Sequence, residues 1–269
     1  MWRSLEFVPD FGAVWDGANA ASVVATYQLA AAERADEYVG DQIDRSGPPR
    51  RPVRPTAVAG VASDGRPLAT LLRLPAASTI KALNVGVSRR DAFAVGRRRL
   101  LALGSTQVLD AGRAAVSVAQ TAAPEVIGYR RHLRGSTNCA RCIVLAGRLY
   151  RWSTGFARRP QCDCEHRPVT ERDDEPERSP EQVFRDMDRA QQDAVFGEDG
   201  AQAIRDGADL GQVVNARRGM KDTTAYGRKV TATTFGTGQQ PIRLVPEQIY
   251  KDAKDRVDAI RLLQVHGYI

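Results

Sequence analysis

Lysine is scarce in this chain. Five occur (Lys81, Lys221, Lys229, Lys251 and Lys254) against 34 arginines in 269 residues. Its basic character therefore rests on guanidinium, whose planar fork suits phosphate and carboxylate better than an ammonium does. No apolar run approaches the about 18 residues needed to span a bilayer, so no transmembrane helix is expected. The segment Met1–Asp16 carries Glu6 and Asp10 and lacks a basic stretch before an apolar run. It does not read as a signal peptide. Cysteine is limited to four. Without export, so few do not read as a disulfide framework. Histidine is limited to three, and the chain contains no G-x-S-x-G, no P-loop and no H-E-x-x-H. An enzyme is not expected.

What is present is enough for a core. The chain is 42% hydrophobic, and its length suggests one large domain or two small ones. The apolar spacing is mostly helical. Asn19 can cap a helix running to about Ile43, with Val23, Tyr27, Ala31, Ala35 and Tyr38 on one face. The proline-rich stretch Ser46–Pro55 then reads as a linker or extended arm. A helix over Leu68–Leu74 is expected to close at Pro75. Ser88 can cap a long helix from Arg89 towards Ala119. Gly96, Gly104 and Gly112 either admit a close neighbour or break that helix in two near Gly104. Ser179-Pro180-Glu181-Gln182 carries a capping-box pattern. Asp206-Gly207-Ala208-Asp209 lacks the ligand count of a calcium loop and reads as a turn. Thr223–Gly238 is rich in Thr and Gly and reads as a ribbon or as an arm ordered on assembly. From Pro246, Ile249, Tyr250, Ala253, Val257, Ile260 and Leu263 repeat at helical steps.

The cysteines carry the strongest chemical signal. They read Cys139-x2-Cys142, then nineteen residues, then Cys162-x-Cys164. Two close pairs flanking a hairpin-sized insert can present four thiolates to one tetrahedral zinc ion. His166 is an alternate ligand. The competing readings are one or two disulfides, or four ordinary thiols. A closed four-cysteine site leaves no position for a reacting water, so the zinc is expected to be structural. The H-x-E…P-C-x-x-C order of zinc deaminases is absent.

Charge is unevenly spread beneath a net +7. Residues 89–159 hold 14 arginines against three acids, and residues 160–200 hold five against 13. Arg97, Arg98 and Arg99, with Arg130, Arg131 and Arg134, are the densest basic groups. They point to contact with DNA phosphates or an acidic protein surface. The alternative is pairing with the acidic stretch of the same chain.

Several segments resemble a known family. Gly128-Tyr129-Arg130-Arg131, Cys139-Ala-Arg-Cys142-Ile-Val-Leu-Ala-Gly147-Arg-Leu-Tyr150 and Arg159-Pro160-Gln-Cys162-Asp-Cys164 resemble the MuF-like minor head proteins of tailed bacteriophages, also called phage head morphogenesis proteins. Thr106-Gln-Val-Leu-Asp110-Ala-Gly-Arg113, Gly200–Asp209, Val213–Met220 and the ending Ala259–Ile269 are similar to actinobacteriophage members. The likeness is good over residues 90–269. Over residues 1–88 it is confined to helical, Ala-rich character. Arg159 stands where the family pattern has histidine, so the site implied uses all four cysteines or recruits His166.

The resemblance implies a virion protein inside the capsid, present in the host cytoplasm during assembly. Its implied partners are the portal protein, the major capsid protein or scaffold, and packaged double-stranded DNA, with no membrane. The alternatives are a zinc-containing DNA-binding protein acting outside the virion and an unrecognised metal-dependent enzyme. The expected fold is mainly α, α+β overall. Residues 1–125 form a helical docking region, 126–169 a zinc-knuckle-like β-hairpin module, 170–178 an acidic linker, and 179–269 a C-terminal helical region.

Overall fold

The computed structural model describes residues 2–134, 138–156, 162, 164–172, 178–218, 224–225, 227–231 and 243–269. Contacts divide the chain into two units: Met1–Arg130 with Leu149–Asp174, and Arg131–Arg148 with Glu175–Ile269.

The first unit opens with a 3-10 turn, Trp2–Phe7, and six helices: α1 Phe11–Val14, α2 Ala18–Glu33, α3 Ala35–Gln42, α4 Leu68–Leu71, α5 Leu74–Asn84 and α6 Arg89–Ala122. The expected single helix to Ile43 divides at Arg34, and Asn19 is not its cap. Gly17 is, in a left-handed conformation (φ 79°). A Cβ there would meet the Ala69 carbonyl oxygen at 2.7 Å, so glycine is required twice over. The buried face of α2 is also turned by one residue from the expected one. Val23 and Tyr27 are exposed, while Gln28 is 1% exposed. The Gln28 amide donates to the carbonyls of Val61 (3.0 Å) and Gln107 (3.3 Å) and accepts from Gly60 N–H (2.9 Å). A fully satisfied glutamine in a core leaves no mark in an apolar pattern.

Pro75 starts α5 rather than closing its predecessor. The first turn of a helix has backbone donors with no partner, so a missing N–H costs nothing there. Ser88 caps α6 as predicted, accepting from Asp91 N–H at 3.2 Å, and α6 runs unbroken for 34 residues. Its glycines admit neighbours: a Cβ at Gly112 would touch Ala31, and one at Gly96 would strike Thr79 and Trp2. Around α6 lie three apolar clusters. One joins Trp2, Leu5, Phe11, Trp15, Ala76 and Phe93. The two indoles meet edge to face at 4.8 Å, and their N–H groups donate to the Phe93 and Leu72 carbonyls at 3.0 and 2.8 Å. The second packs Ala32, Ala35 and Val39 against Ala115, Ala119, Ala123 and Val126. The third is Ala62, Leu68, Leu71 and Leu72. The Ser46–Pro55 stretch carries no helix or strand until Pro55, which starts a 3-10 turn, Pro55–Ala57. Its end is pinned where Val53 N–H donates to Asp36 Oδ2 at 2.8 Å.

After α6 comes a small sheet of β1 Gly128–His132, β2 Leu149–Arg151 and β3 Glu165–Val169, in the order β2-β1-β3. β1 and β2 are antiparallel, with Tyr129 opposite Tyr150.

The second unit comprises α7 Ala140–Val144, α8 Pro180–Asp186, α9 Arg189–Phe196, α10 Glu198–Arg205, α11 Leu210–Arg218, the strands β4 Thr224–Ala225, β5 Arg228–Thr231 and β6 Arg243–Leu244, then α12 Pro246–Asp252 and α13 Arg256–Val265. The capping box at Ser179 and Gln182 is formed on both sides, and a second one joins Asp188 and Gln191. β4, β5 and β6 pair antiparallel, which is the ribbon expected in the Thr/Gly-rich stretch; residues 232–238 lie outside the described ones. The expected C-terminal helix divides at Ala253, and Asp255 caps the second half. Val257 is consequently 78% exposed rather than inward. One core cluster centres on Ile143, Val183, Phe184 and Phe196, another on Val213, Ile249, Leu263 and Tyr268. Residues 173–177 of the acidic stretch lie outside the described ones.

The fold is thus mainly α with small β-sheets. Among the described residues no helix is long and apolar enough to cross a membrane.

Candidate metal centre

The expected hairpin is formed by the antiparallel strands β1 and β2. The segment between them contains the helical turn α7. Cys139 is the N-cap of α7, and Cys142 N–H donates to its carbonyl at 2.9 Å. One turn of helix brings residues i and i+3 to the same side. The two sulfurs lie 3.4 Å apart, well beyond the about 2.05 Å of a disulfide. The residue after Cys142 holds the turn in place: Ile143 is fully buried against Val183, Phe184 and Phe196.

The second cysteine pair lies on the strap that leads into β3. Cys162 and Cys164 are 8% and 1% exposed. Their carbonyls are held from α6: Arg113 Nη2 donates to Cys162 O at 2.7 Å and Arg113 Nε to Cys164 O at 3.1 Å. Two positions on, Tyr38 O–H donates to His166 O at 2.8 Å. The His166 ring is 1% exposed. It lies tilted against Phe156 at 3.9 Å, meets Tyr129 at 5.0 Å and lies 3.1 Å from Ser117 Oγ through Nε2. The alternate ligand of the sequence reading is therefore committed to an aromatic cluster.

None of the four cysteines is joined in a disulfide. Thiolates about 2.3 Å from a common tetrahedral zinc lie about 3.8 Å apart, so the 3.4 Å between Cys139 and Cys142 is close to what one ion requires. Cys139, Cys142 and Cys162 are candidate ligands for a metal ion among the described residues; Cys164 and His166 are not among them.

A protein-family model described as "VG15 protein" matches residues 18–190, well over half of the chain. The chain belongs to the VG15 protein family. The family is a viral one and marks the chain as a phage protein. No curated protein and no solved structure matches it significantly. The VG15 match starts at the first turn of α2 and takes in the N-terminal helices, where the sequence reading found helical character alone. It includes all four cysteines and ends at the start of α9.

The arginines of this VG15-family chain differ in setting. Arg97, Arg98 and Arg99 are exposed on α6 and make no ion pair with a described residue. Arg134 is exposed and Arg130 half-buried. Arg131 is 4% exposed on β1 and faces no solvent, which removes it from any surface patch. The sequence reading did not assign Arg113, Ser117 or Tyr38 to the cysteine site. The signal for Arg113 was present in the Thr106–Arg113 motif, but its partners lie about 50 residues away.

Proposed function

We propose that the chain is a minor structural protein of a phage head, associated with the portal inside the capsid, and that its cysteines hold one structural zinc. The observation that supports this most is the family match. A viral family covers the same stretch whose cysteine pattern resembles the MuF-like minor head proteins. In this reading Cys139, Cys142 and Cys162 supply three thiolates. Cys164, the second half of the Cys162-x-Cys164 pair, supplies the fourth. Such a closed ion contributes folding free energy rather than reactivity. The portal protein, and the major capsid protein or scaffold, are the partners. The exposed arginines of α6 face packaged DNA or an acidic protein surface.

Mass spectrometry of purified particles and procapsids tests the location. The chain is expected in both at low copy number. Recovery from the infected-cell lysate alone overturns the reading. Metal analysis tests the site: about one zinc per chain, lost in Cys139→Ser, is the expected result.

A second reading is favoured by one observation, the exposure of Arg97, Arg98 and Arg99 without an ion-pair partner among the described residues. It is a DNA-binding protein acting outside the virion. It requires duplex DNA binding by the isolated chain that weakens steeply with salt. Absence of binding at low salt removes it.

A further inference from the structure

We propose that Arg113 is a positioning residue for the metal centre: its guanidinium forks across the carbonyls of Cys162 and Cys164 and fixes both cysteines for the ion. The inference rests on the metal reading above.

β3 is an edge strand, because the order of its sheet is β2-β1-β3. An edge leaves a row of backbone carbonyls without strand partners. Here side chains fill that role. The carbonyls concerned belong to residues 162 and 164, which precede β3, and to residue 166 within it. The first two accept from Arg113 and the third from Tyr38. Ser117, one helical turn after Arg113 on α6, meets the His166 ring. So α6 and α3 hold the strap at three successive rungs.

Arg113 reaches two of these rungs. Its Nη2 and Nε are separated by a rigid planar group, and the distances of 2.7 and 3.1 Å leave little play. A guanidinium can span two acceptors in a fixed geometry; an ammonium is a single point. Fixing carbonyls 162 and 164 fixes the Cα positions of the two cysteines before any metal arrives. Partners that orient ligands without touching the metal typically change its affinity 10- to 100-fold. This accounts for the arginine that ends the Thr106–Arg113 motif. Earlier in that motif, Gln107 Oε1 accepts from Ser63 N–H at 2.7 Å, and Gly112 lies against Ala31.

The test uses the full chain as wild type, Arg113→Lys, Arg113→Gln and Cys139→Ser. Zinc release to a chromogenic chelator is timed, and the thermal transition is followed with and without zinc. Arg113→Gln is expected to release zinc at least about 10-fold faster, with a helical signal and a metal-free transition like wild type. Arg113→Lys, which holds one carbonyl, is expected to fall between. Release at the wild-type rate from both variants overturns the proposal. Failure of the metal reading shows itself separately, as wild type and Cys139→Ser both binding no zinc. In that case alkylation of the chelator-treated chains decides. Iodoacetamide labelling of Cys162 and Cys164 is expected to rise severalfold in Arg113→Gln while that of Cys139 and Cys142 stays fixed. An unchanged labelling pattern also overturns the proposal.

Discussion

Asp206 shows how a partly buried residue keeps its charge with its side chain shielded from water. It follows the last residue of α10, and its side chain is 0% exposed. Burial alone pushes a carboxyl towards its neutral form. Three donors outweigh that: Tyr250 O–H at 2.6 Å, Gln202 Nε2 at 3.1 Å and Arg256 Nε at 2.8 Å hold Asp206 below the usual carboxylate range. Tyr250 is driven the other way, above the usual phenol range, first by burial and then by its bond to Asp206. A depressed carboxyl stabilises the fold above the unfolded value of about 3.9, and that contribution is lost as pH falls through the lower folded value. Asp206→Asn is therefore expected to cost about 2 kcal/mol at pH 7. Below about pH 4 its deficit relative to wild type should shrink. Urea unfolding at both pH values measures it, and a deficit that stays constant contradicts the assignment. None of this is legible in Asp206-Gly207-Ala208-Asp209, which reads as a turn. Tyr250 and Arg256 are 44 and 50 positions away. The arginine clamp on the cysteine strap is hidden for the same reason.

At the scale of elements, local signals were readable and contact-driven ones were not. Ser88 and the Ser179–Gln182 box act within four residues, and both stand as predicted. The division at Arg34, the helical turn at Cys139 and the break at Ala253 depend on packing elsewhere. The glycines of α6 show the difference clearly. By propensity alone, Gly→Ala in a helix gains about 1 kcal/mol. At Gly96 a methyl group would strike Thr79 Oγ1 and Trp2, and would lie 3.0 Å from the Pro75 carbonyl. Thr79 cannot swing away freely, because its hydroxyl donates to that carbonyl at 3.1 Å. Overpacking costs about 1–3 kcal/mol and exceeds the propensity gain. Gly96→Ala is expected to lower the melting temperature. Gly112→Ala, where Ala31 Cβ lies at an ordinary 3.4 Å, should leave it unchanged or raise it. Thermal unfolding of the two variants reads the sign directly, and equal effects would show that close helix packing does not set these positions.

Over the whole molecule, the family match and the two units divide the chain differently. The match ends at residue 190. One core cluster of the second unit lies entirely beyond it, from Ala203 through Val213, Ala216, Ile249 and Leu263 to Tyr268. The helical periodicity from Pro246 and the ending Gly267-Tyr268-Ile269 were visible in the sequence. What they enclose was not. Tyr268 is 1% exposed, donates to Leu244 O at 2.9 Å and has the Arg243 guanidinium 4.7 Å above its ring. Burial pushes its phenol up to about 12. Leu263 is fully buried in the same cluster, whereas the clusters around α6 draw on residues of the first unit alone. Each unit thus has apolar cores of its own, so a cavity in one should weaken that unit first. Leu263→Ala is expected to cost about 2–5 kcal/mol in the second unit. Hydrogen exchange followed by mass spectrometry should register lost protection in α10, α11, α12 and α13, with α2 and α6 keeping theirs. Equal loss in α6 would mean that the two units unfold as one, and the division of the chain would then lack energetic meaning.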